Sequence, residues 1–319
     1  MSRIFAFLQQ RPYAFALLLC IVLLVLNIIV SPSFANPTRW PAILGTFAPF
    51  ALVGFASTPS VLSGGMDISV GPLTTFISVI FIAVLMPAGL GTWYFSIPIL
   101  LILATIVGMI NGILVAVVRL HPVVATVGML FILIGLSQTI APNPVQAADR
   151  WSAGLARTLG FIPGALLTIG AAALIWFLLR RTAFVSNLLA TGDSDQSAFG
   201  SGVNVTAVRI LAYGLGGLFA GIGGIALAAL LQSSESALAT TYALLGLAAV
   251  VLGGTSLLGG RGSMLGTLFG AFAIYLIQQL LTAGGVQSNL IQFAYGIVLV
   301  VGVLVSATLL SARQRGKVQ

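Results

Sequence analysis

The chain alternates between long apolar runs and short polar interruptions. The runs fall at approximately 13–31, 43–61, 70–88, 94–118, 122–141, 162–179, 207–231, 240–257, 264–283 and 288–311. None shows the alternation of a barrel strand. At about 1.5 Å per residue each can cross a ~30 Å hydrocarbon core, although 240–257 is short. The pattern predicts an all-α, polytopic integral membrane protein with about ten transmembrane helices. Its expected parts are an N-terminal tail at 1–12, one transmembrane domain at 13–311 and a basic tail at 312–319. A cleavable signal is the competing reading of the first run, since Ser33-Phe34-Ala35 resembles a cleavage site. That run exceeds the ~7–15 residues of a signal core.

The polar interruption at Ser63-Gly64-Gly65-Met66-Asp67-Ile68-Ser69-Val70-Gly71 organises the rest. Gly64 and Gly65 suit the left-handed conformation that ends a helix. Asp67 or Ser69 can cap the next helix, and Pro72 is tolerated in its first turn if Ser69 is the cap. The expected sequence of events is stop, turn, start at the end of a span. Asp67 is expected to sit at a helix N-terminus, with stiffening of a moving hinge as a compatible role.

Composition supports the membrane reading. Of 319 residues, 59% are hydrophobic and 6% charged, against about a quarter charged in a soluble domain. The net charge of +8 comes from basic residues that punctuate the apolar runs rather than cluster. It therefore points to topology and anionic membrane lipid, and to no nucleic acid. With the N-terminus inside, ten basic residues fall inside: Arg3, Arg11, Arg119, Arg180, Arg181, Arg209, Arg261, Arg313, Arg315 and Lys317. Three fall outside: Arg39, Arg150 and Arg157. Both termini are thus expected in the cytoplasm.

Several chemistries are excluded. The only lysine is Lys317, so no phosphate loop of the Gly-x-x-x-x-Gly-Lys type exists. One histidine, His121, leaves no zinc helix or haem pair, and it reads as an interfacial residue at a helix start. One cysteine, Cys20, allows no disulfide within the chain and reads as a packing residue. Ion-coupled carriers place charges at mid-membrane. Here only Asp67 comes close, because Asp149, Asp193, Asp195 and Glu235 lie in loops. The chain is not expected to be an enzyme, to hold a metal or to need a cofactor. A stand-alone secondary transporter or channel for a small polar solute is the alternative.

Four ordered motifs carry a family resemblance. The hinge nonapeptide resembles the Ser-Gly-Gly-Ile-Asp-Leu-Ser-Val-Gly signature of permease subunits from bacterial ABC importers for ribose-type sugars. Asn111-Gly112 with His121-Pro122-x-x-Ala125-Thr126-x-Gly128-Met129 is similar to a second motif of that family. Ala248-Ala249-Val250-Val251-Leu252-Gly253-Gly254-Thr255-Ser256-Leu257-Leu258-Gly259-Gly260-Arg261-Gly262-Ser263 closely resembles a third. It continues through Gly266 and Gly270, which with Gly262 form a smooth helix face for close packing. The fourth is Ala190-Thr191-Gly192-x5-Ala198-x-Gly200-Ser201-Gly202-Val203-Asn204-Val205, within the polar inward-facing loop 182–206. It looks like the family's coupling-helix loop, with Asp193 in place of glycine and Ser197-Ala198-Phe199 in place of a small-residue pair.

The resemblance implies a permease without chemistry of its own, in the bacterial cytoplasmic (inner) membrane. It implies ABC ATPase subunits, a second permease subunit and a periplasmic or lipid-anchored sugar-binding protein as partners. Ala190, Gly192, Asp193, Ala198, Gly200 and Gly202 are the implied ATPase-coupling residues. Ser63, Gly64, Gly65, Asp67, Ser69 and Gly71 form the implied hinge. Polar residues inside spans are costly unless they face a cavity or another helix. Asn111, Thr126, Ser137, Gln138, Gln278 and Gln279 are therefore candidates for a polyol path, with Phe131 or Phe269 as stacking faces. Packing between helices is the plainer role for each. Arg150 and Arg157 on the outer loop 142–161 are candidates for docking the binding protein, and Arg261 for a headgroup or the ATPase.

Overall fold

The computed structural model describes residues 13–287 and, beyond them, residues 290, 291, 293, 294, 296, 297 and 300. The expected tails at 1–12 and 312–319 lie outside the described residues, as does most of the run at 288–311. Twelve helices follow in order among the described residues. They are α1 (Ala14–Val30), α2 (Trp40–Leu62), α3 (Val70–Val79), α4 (Trp93–Ala116), α5 (Pro122–Ile140), the one-turn α6 (Ala153–Ala156), α7 (Ala165–Leu179), α8 (Ala183–Asp193), α9 (Asp195–Gly200), α10 (Val205–Leu231), α11 (Ala239–Leu252) and α12 (Met264–Ala283). The sole sheet among them is a two-residue hairpin, Thr158–Leu159 with Ile162–Pro163.

The peripheral helices show how the sequence chose its solvent. On α4 the exposed positions are Ile99, Ile102, Ile106, Ile110 and Ile113, while Ser96, Leu100, Ala104, Gly108 and Asn111 are buried. On α7 the exposed side chains are Leu166, Leu167, Leu174, Phe177 and Leu178, and Thr168 and Ala172 are buried. Most large aliphatic groups point outward, and apart from Leu100 and Trp176 the inward groups are mainly small or polar. That is the arrangement of a helix whose outer face meets lipid.

The core is made of helices buried on every side. Phe47–Leu62 of α2 and all of α3 are buried, as is nearly all of Ala212–Ala229 of α10. α2 and α3 pack with both α10 and α11, while α1 leans on α12 and α4 on α10. Glycine sets the spacing. A Cβ on Gly108 of α4 would strike Tyr213 O and the backbone of Gly217 on α10. Gly266 and Gly270 of α12 face the Gly253 and Ala249 backbones at the α11–α12 seam, whereas Gly262, expected on the same face, precedes α12 and lies against Thr255. Asn27 fastens α1 by donating to Leu276 O at 3.1 Å, and Cys20 Sγ donates to Phe269 O at 2.9 Å.

Among the described residues, five helical stretches are long and apolar enough to cross a membrane: Pro37–Leu62, Trp93–Ala116, Pro122–Ile140, Val205–Leu231 and Met264–Ala283. A sixth follows if Ala165–Leu179 and Ala183–Asp193, bent by 83°, count as one span. Ala14–Val30 and Val70–Leu85 are apolar but shorter. Two expected runs depart from a continuous α-helix. The run placed at 240–257 stops at Leu252, because Gly254 turns left-handed (φ 80°). The run placed at 70–88 turns π-helical over Ile80–Leu85.

The α4–α10 seam has no spare volume. Gly217→Leu is expected to lower stability by about 1–3 kcal/mol through overpacking, read as a fall in thermal midpoint of the detergent-purified chain. Ile106→Leu, on the exposed face, is expected to leave the midpoint unchanged.

Candidate functional site

Two glycine hinges meet at one end of the bundle. The first joins α2 to α3. Gly64 adopts φ 79°, its N–H donates to Val61 O at 3.0 Å, and Gly65 N–H donates to Ser60 O at 2.9 Å. The second joins α11 to α12 and repeats the geometry. Gly254 adopts φ 80°, its N–H donates to Val251 O at 2.9 Å, and Thr255 N–H donates to Val250 O at 3.1 Å. Both are Schellman stops, which satisfy the last carbonyls of a helix. Each restarts at a serine, Ser69 or Ser263. This repeat was legible in principle, since Gly64-Gly65 and Gly253-Gly254 each follow an apolar run and precede a serine-started one.

The two restarts differ in detail. Ser263 Oγ accepts from Gly266 N–H at 3.0 Å, an ordinary side-chain cap. Ser69 does not cap α3 with its side chain, contrary to one of the two expected roles. Its hydroxyl donates to Asp67 Oδ1 at 2.6 Å and accepts from Asn111 Nδ2 at 2.8 Å. Asp67 Oδ1 also accepts Ser69 N–H at 2.9 Å, closing an Asx turn. Asp67 is 2% exposed. Pro72 falls in the first turn of α3, where its missing N–H costs nothing.

Three further helices hold the first hinge. Asn111 of α4 reaches Ser69, Tyr213 Oη of α10 donates to Met66 O at 3.3 Å, and Thr126 of α5 approaches the same carbonyl at 3.5 Å. Gly65 must lack a side chain, because a Cβ there would run into the Tyr213 hydroxyl.

The hinges bond to each other and to the segment after α7. Gly260 N–H donates to Leu62 O at 3.1 Å. Gly259 lies so close to Gly64 that a Cβ would come within 2.7 Å of the Gly64 Cα. Gly192, at the end of α8, fits between them, and a Cβ there would collide with both Leu62 O and Gly260 N. Segment 182–206 is therefore two short helices rather than a loop. Thr182 caps α8, Ser194 caps α9 and Asn204 caps α10. α8 leaves α7 at 83° and so lies across the end of the bundle.

The implied coupling residues separate by position. Gly192 is the contact with both hinges. Gly202 (φ 85°) ends α9, and Ala198 is buried beneath it. Ala190, Asp193 and Gly200 are exposed. Of the path candidates, Asn111 and Thr126 lie in the hinge network. Ser137 bonds within its own helix to Leu133 O. Gln138 and Phe131 are exposed on α5, Phe269 stands near the Tyr13 ring, and Gln278 and Gln279 are partly buried on α12. Tyr213 was missed from sequence; it lies in a run read only as apolar.

Arg150 and Arg157 are exposed at the opposite end. Their loop is fastened there: Trp151 Nε1 donates to Gly91 O at 2.7 Å, and Ala147 N–H donates to Gln232 O at 2.9 Å. Among the described residues no group of three or more metal-ligating side chains occurs.

Lipid-facing helices, a buried glycine-hinged core and a short helix laid across one end describe a membrane-embedded permease. Comparison with known proteins makes the assignment. Residues 41–306 match the family described as branched-chain amino acid transport system / permease component, and the chain belongs to that family. It is similar to the ribose import permease protein RbsC of Bacillus subtilis (strain 168), 32% identical over 89% of each chain. It is also similar to the probable ABC transporter permease protein YphD of Escherichia coli (strain K12), 34% identical over 94% of this chain and 91% of the other. The fructose import permease protein FrcC of Rhizobium meliloti is 30% identical over 94% and 86%. No solved structure matches.

The Asx turn needs an acceptor at position 67 but no charge. Asp67→Asn is expected to keep the thermal midpoint of the wild type or raise it. Asp67→Ala, which leaves Ser69 N–H and Oγ without their acceptor, is expected to cost about 1–3 kcal/mol.

Proposed function

We propose that this chain is the membrane-spanning permease subunit of an ATP-driven ABC importer for a monosaccharide or related polyol. The relatives named for ribose and fructose import support the substrate class. In this reading the chain crosses the cytoplasmic membrane about ten times with both termini inside. The hinge end faces the cytoplasm, where α8 and α9 meet an ATPase carried on a separate chain. Arg150 and Arg157 then face the binding protein that delivers the sugar. A second permease subunit completes the path, toward which the polar candidates Gln138 and Gln278 contribute.

One observation carries the mechanism: the α8 terminus touches both hinges through Gly192. ATP-driven closure of the ATPase pair moves α8, and close-packed backbone passes the displacement on without slack. The helices α2, α3, α11 and α12 all begin or end at those hinges, so one movement at Gly192 re-aims four core helices. Access then switches from outside to inside. Asp67 serves this as a fixed hydrogen-bond acceptor rather than a proton carrier. Its Oδ1 is already engaged by Ser69.

The test is reconstitution with the ATPase and the binding protein in liposomes. Sugar uptake is expected to require ATP, and the chain alone is expected to accumulate nothing under an ion gradient. Gly192→Val is expected to leave ATP hydrolysis in place while lowering uptake by about tenfold or more. Accumulation by the chain alone would overturn the reading.

A further inference from the structure

A cavity lies beside the first hinge, on the side away from α11 and α12. It has a volume of about 560 Å³ and opens between the α4–α5 turn, the start of α10 and Gly64-Gly65. Its charged lining is Arg119, His121, Arg209 and Asp195. The one acid is already committed: Asp195 Oδ2 lies 2.7 Å from Arg209. Among the described residues no ion pair or hydrogen bond engages the Arg119 side chain. The cavity thus carries one positive charge in excess, with the His121 imidazole beside it. Pro122, the first residue of α5, also lines it, so the positive end of a 19-residue helix opens there.

Arg119 occupies a costly position. Its φ is 63°, in the left-handed region where glycine is the usual helix-ending residue. The chain places a long cationic side chain where a glycine would relieve the backbone. A backbone outlier that faces a cavity is grounds for a functional hypothesis. The surroundings define the ligand. Val115, Ala116 and Leu120 form the aliphatic part of the wall, and Leu120 is 40% exposed. An anion-holding pocket at a helix end, with aliphatic side chains in its wall, fits a phosphate with acyl chains attached.

We propose that this cavity is a phosphate-binding site, and that the phosphate is the headgroup of an anionic phospholipid. Arg119 and Arg209 supply guanidinium donors to the phosphate oxygens, and His121 supplies a third. Leu120, the exposed aliphatic residue of the wall, meets the first methylenes of the chains. A lipid seated there touches Gly64 and Gly65 directly, so the lipid composition of the membrane bears on the hinge.

The experiment uses the full chain in nanodiscs, with bound lipid counted by native mass spectrometry and thermal midpoints recorded in parallel. The probes are phosphatidylglycerol, phosphatidylcholine and inorganic phosphate. Wild type is expected to retain phosphatidylglycerol over phosphatidylcholine and to gain thermal stability from it. Arg119→Gly, which the backbone favours, is expected to weaken that retention by about tenfold or more while leaving stability in phosphatidylcholine unchanged or raised. Arg119→Asn, also tolerant of the left-handed region, is expected to behave alike. Protection by millimolar inorganic phosphate without lipid, lost in Arg119→Gly, would confirm the site and assign a soluble source. Equal phosphatidylglycerol retention by wild type and both variants would overturn it.

Discussion

The architecture depends on three backbones touching where a single methyl group would separate them. Gly260 N–H reaches Leu62 O only because Gly259 and Gly192 carry no side chain at the junction. A hydrogen bond between two helix-ending loops is ordinary. Two Schellman stops of the same geometry, bonded to each other and wedged by a third segment, form a junction with little freedom to deform locally. Displacement at one member must therefore appear at the others. The long buried helices are consequences, since α2 and α3 hang from one stop and α11 and α12 from the other.

The polar network around the first hinge serves the same constraint. Buried polar groups away from water need partners. Asp67, Ser69, Asn111, Tyr213 and the Met66 carbonyl largely supply them to one another. The result fixes the hinge on α4 and α10 without a buried ion pair. An unpaired carboxylate would suggest proton coupling; one built into an Asx turn supports a structural role. In the proposed reading the energy enters elsewhere, at the helices laid across the bundle end.

Much of this was legible in the sequence, for identifiable reasons. Gly64-Gly65 before Asp67 and Ser69 spells a stop and a restart, and the structure has both. Apolar runs located the helices because lipid-facing surfaces need continuous aliphatic residues. What stayed hidden was geometry between distant segments. Nothing local tells that Gly192 will meet Gly260, or that Asn111 and Thr126 will turn toward Met66 and Ser69. The polar composition of 182–206 concealed two helices, because their signals were caps at Thr182, Ser194 and Asn204 rather than an apolar stripe. Tyr213 was hidden by a run apolar on all sides, in which one hydroxyl does not stand out. Ser69 misled for another reason: its hydroxyl, turned to donate to Asp67, accepts from Asn111 of α4 rather than from an N–H of α3.

The central claim is that the two hinges and the end of α8 move as one body. Amide hydrogen exchange at Gly260, followed in the assembled importer through its nucleotide states, tests it most directly. The account predicts that this N–H stays protected with and without ATP, because its bond to Leu62 O travels intact. Exchange at the rate of an open loop in either state would mean that the hinges part during the cycle, and would contradict the account.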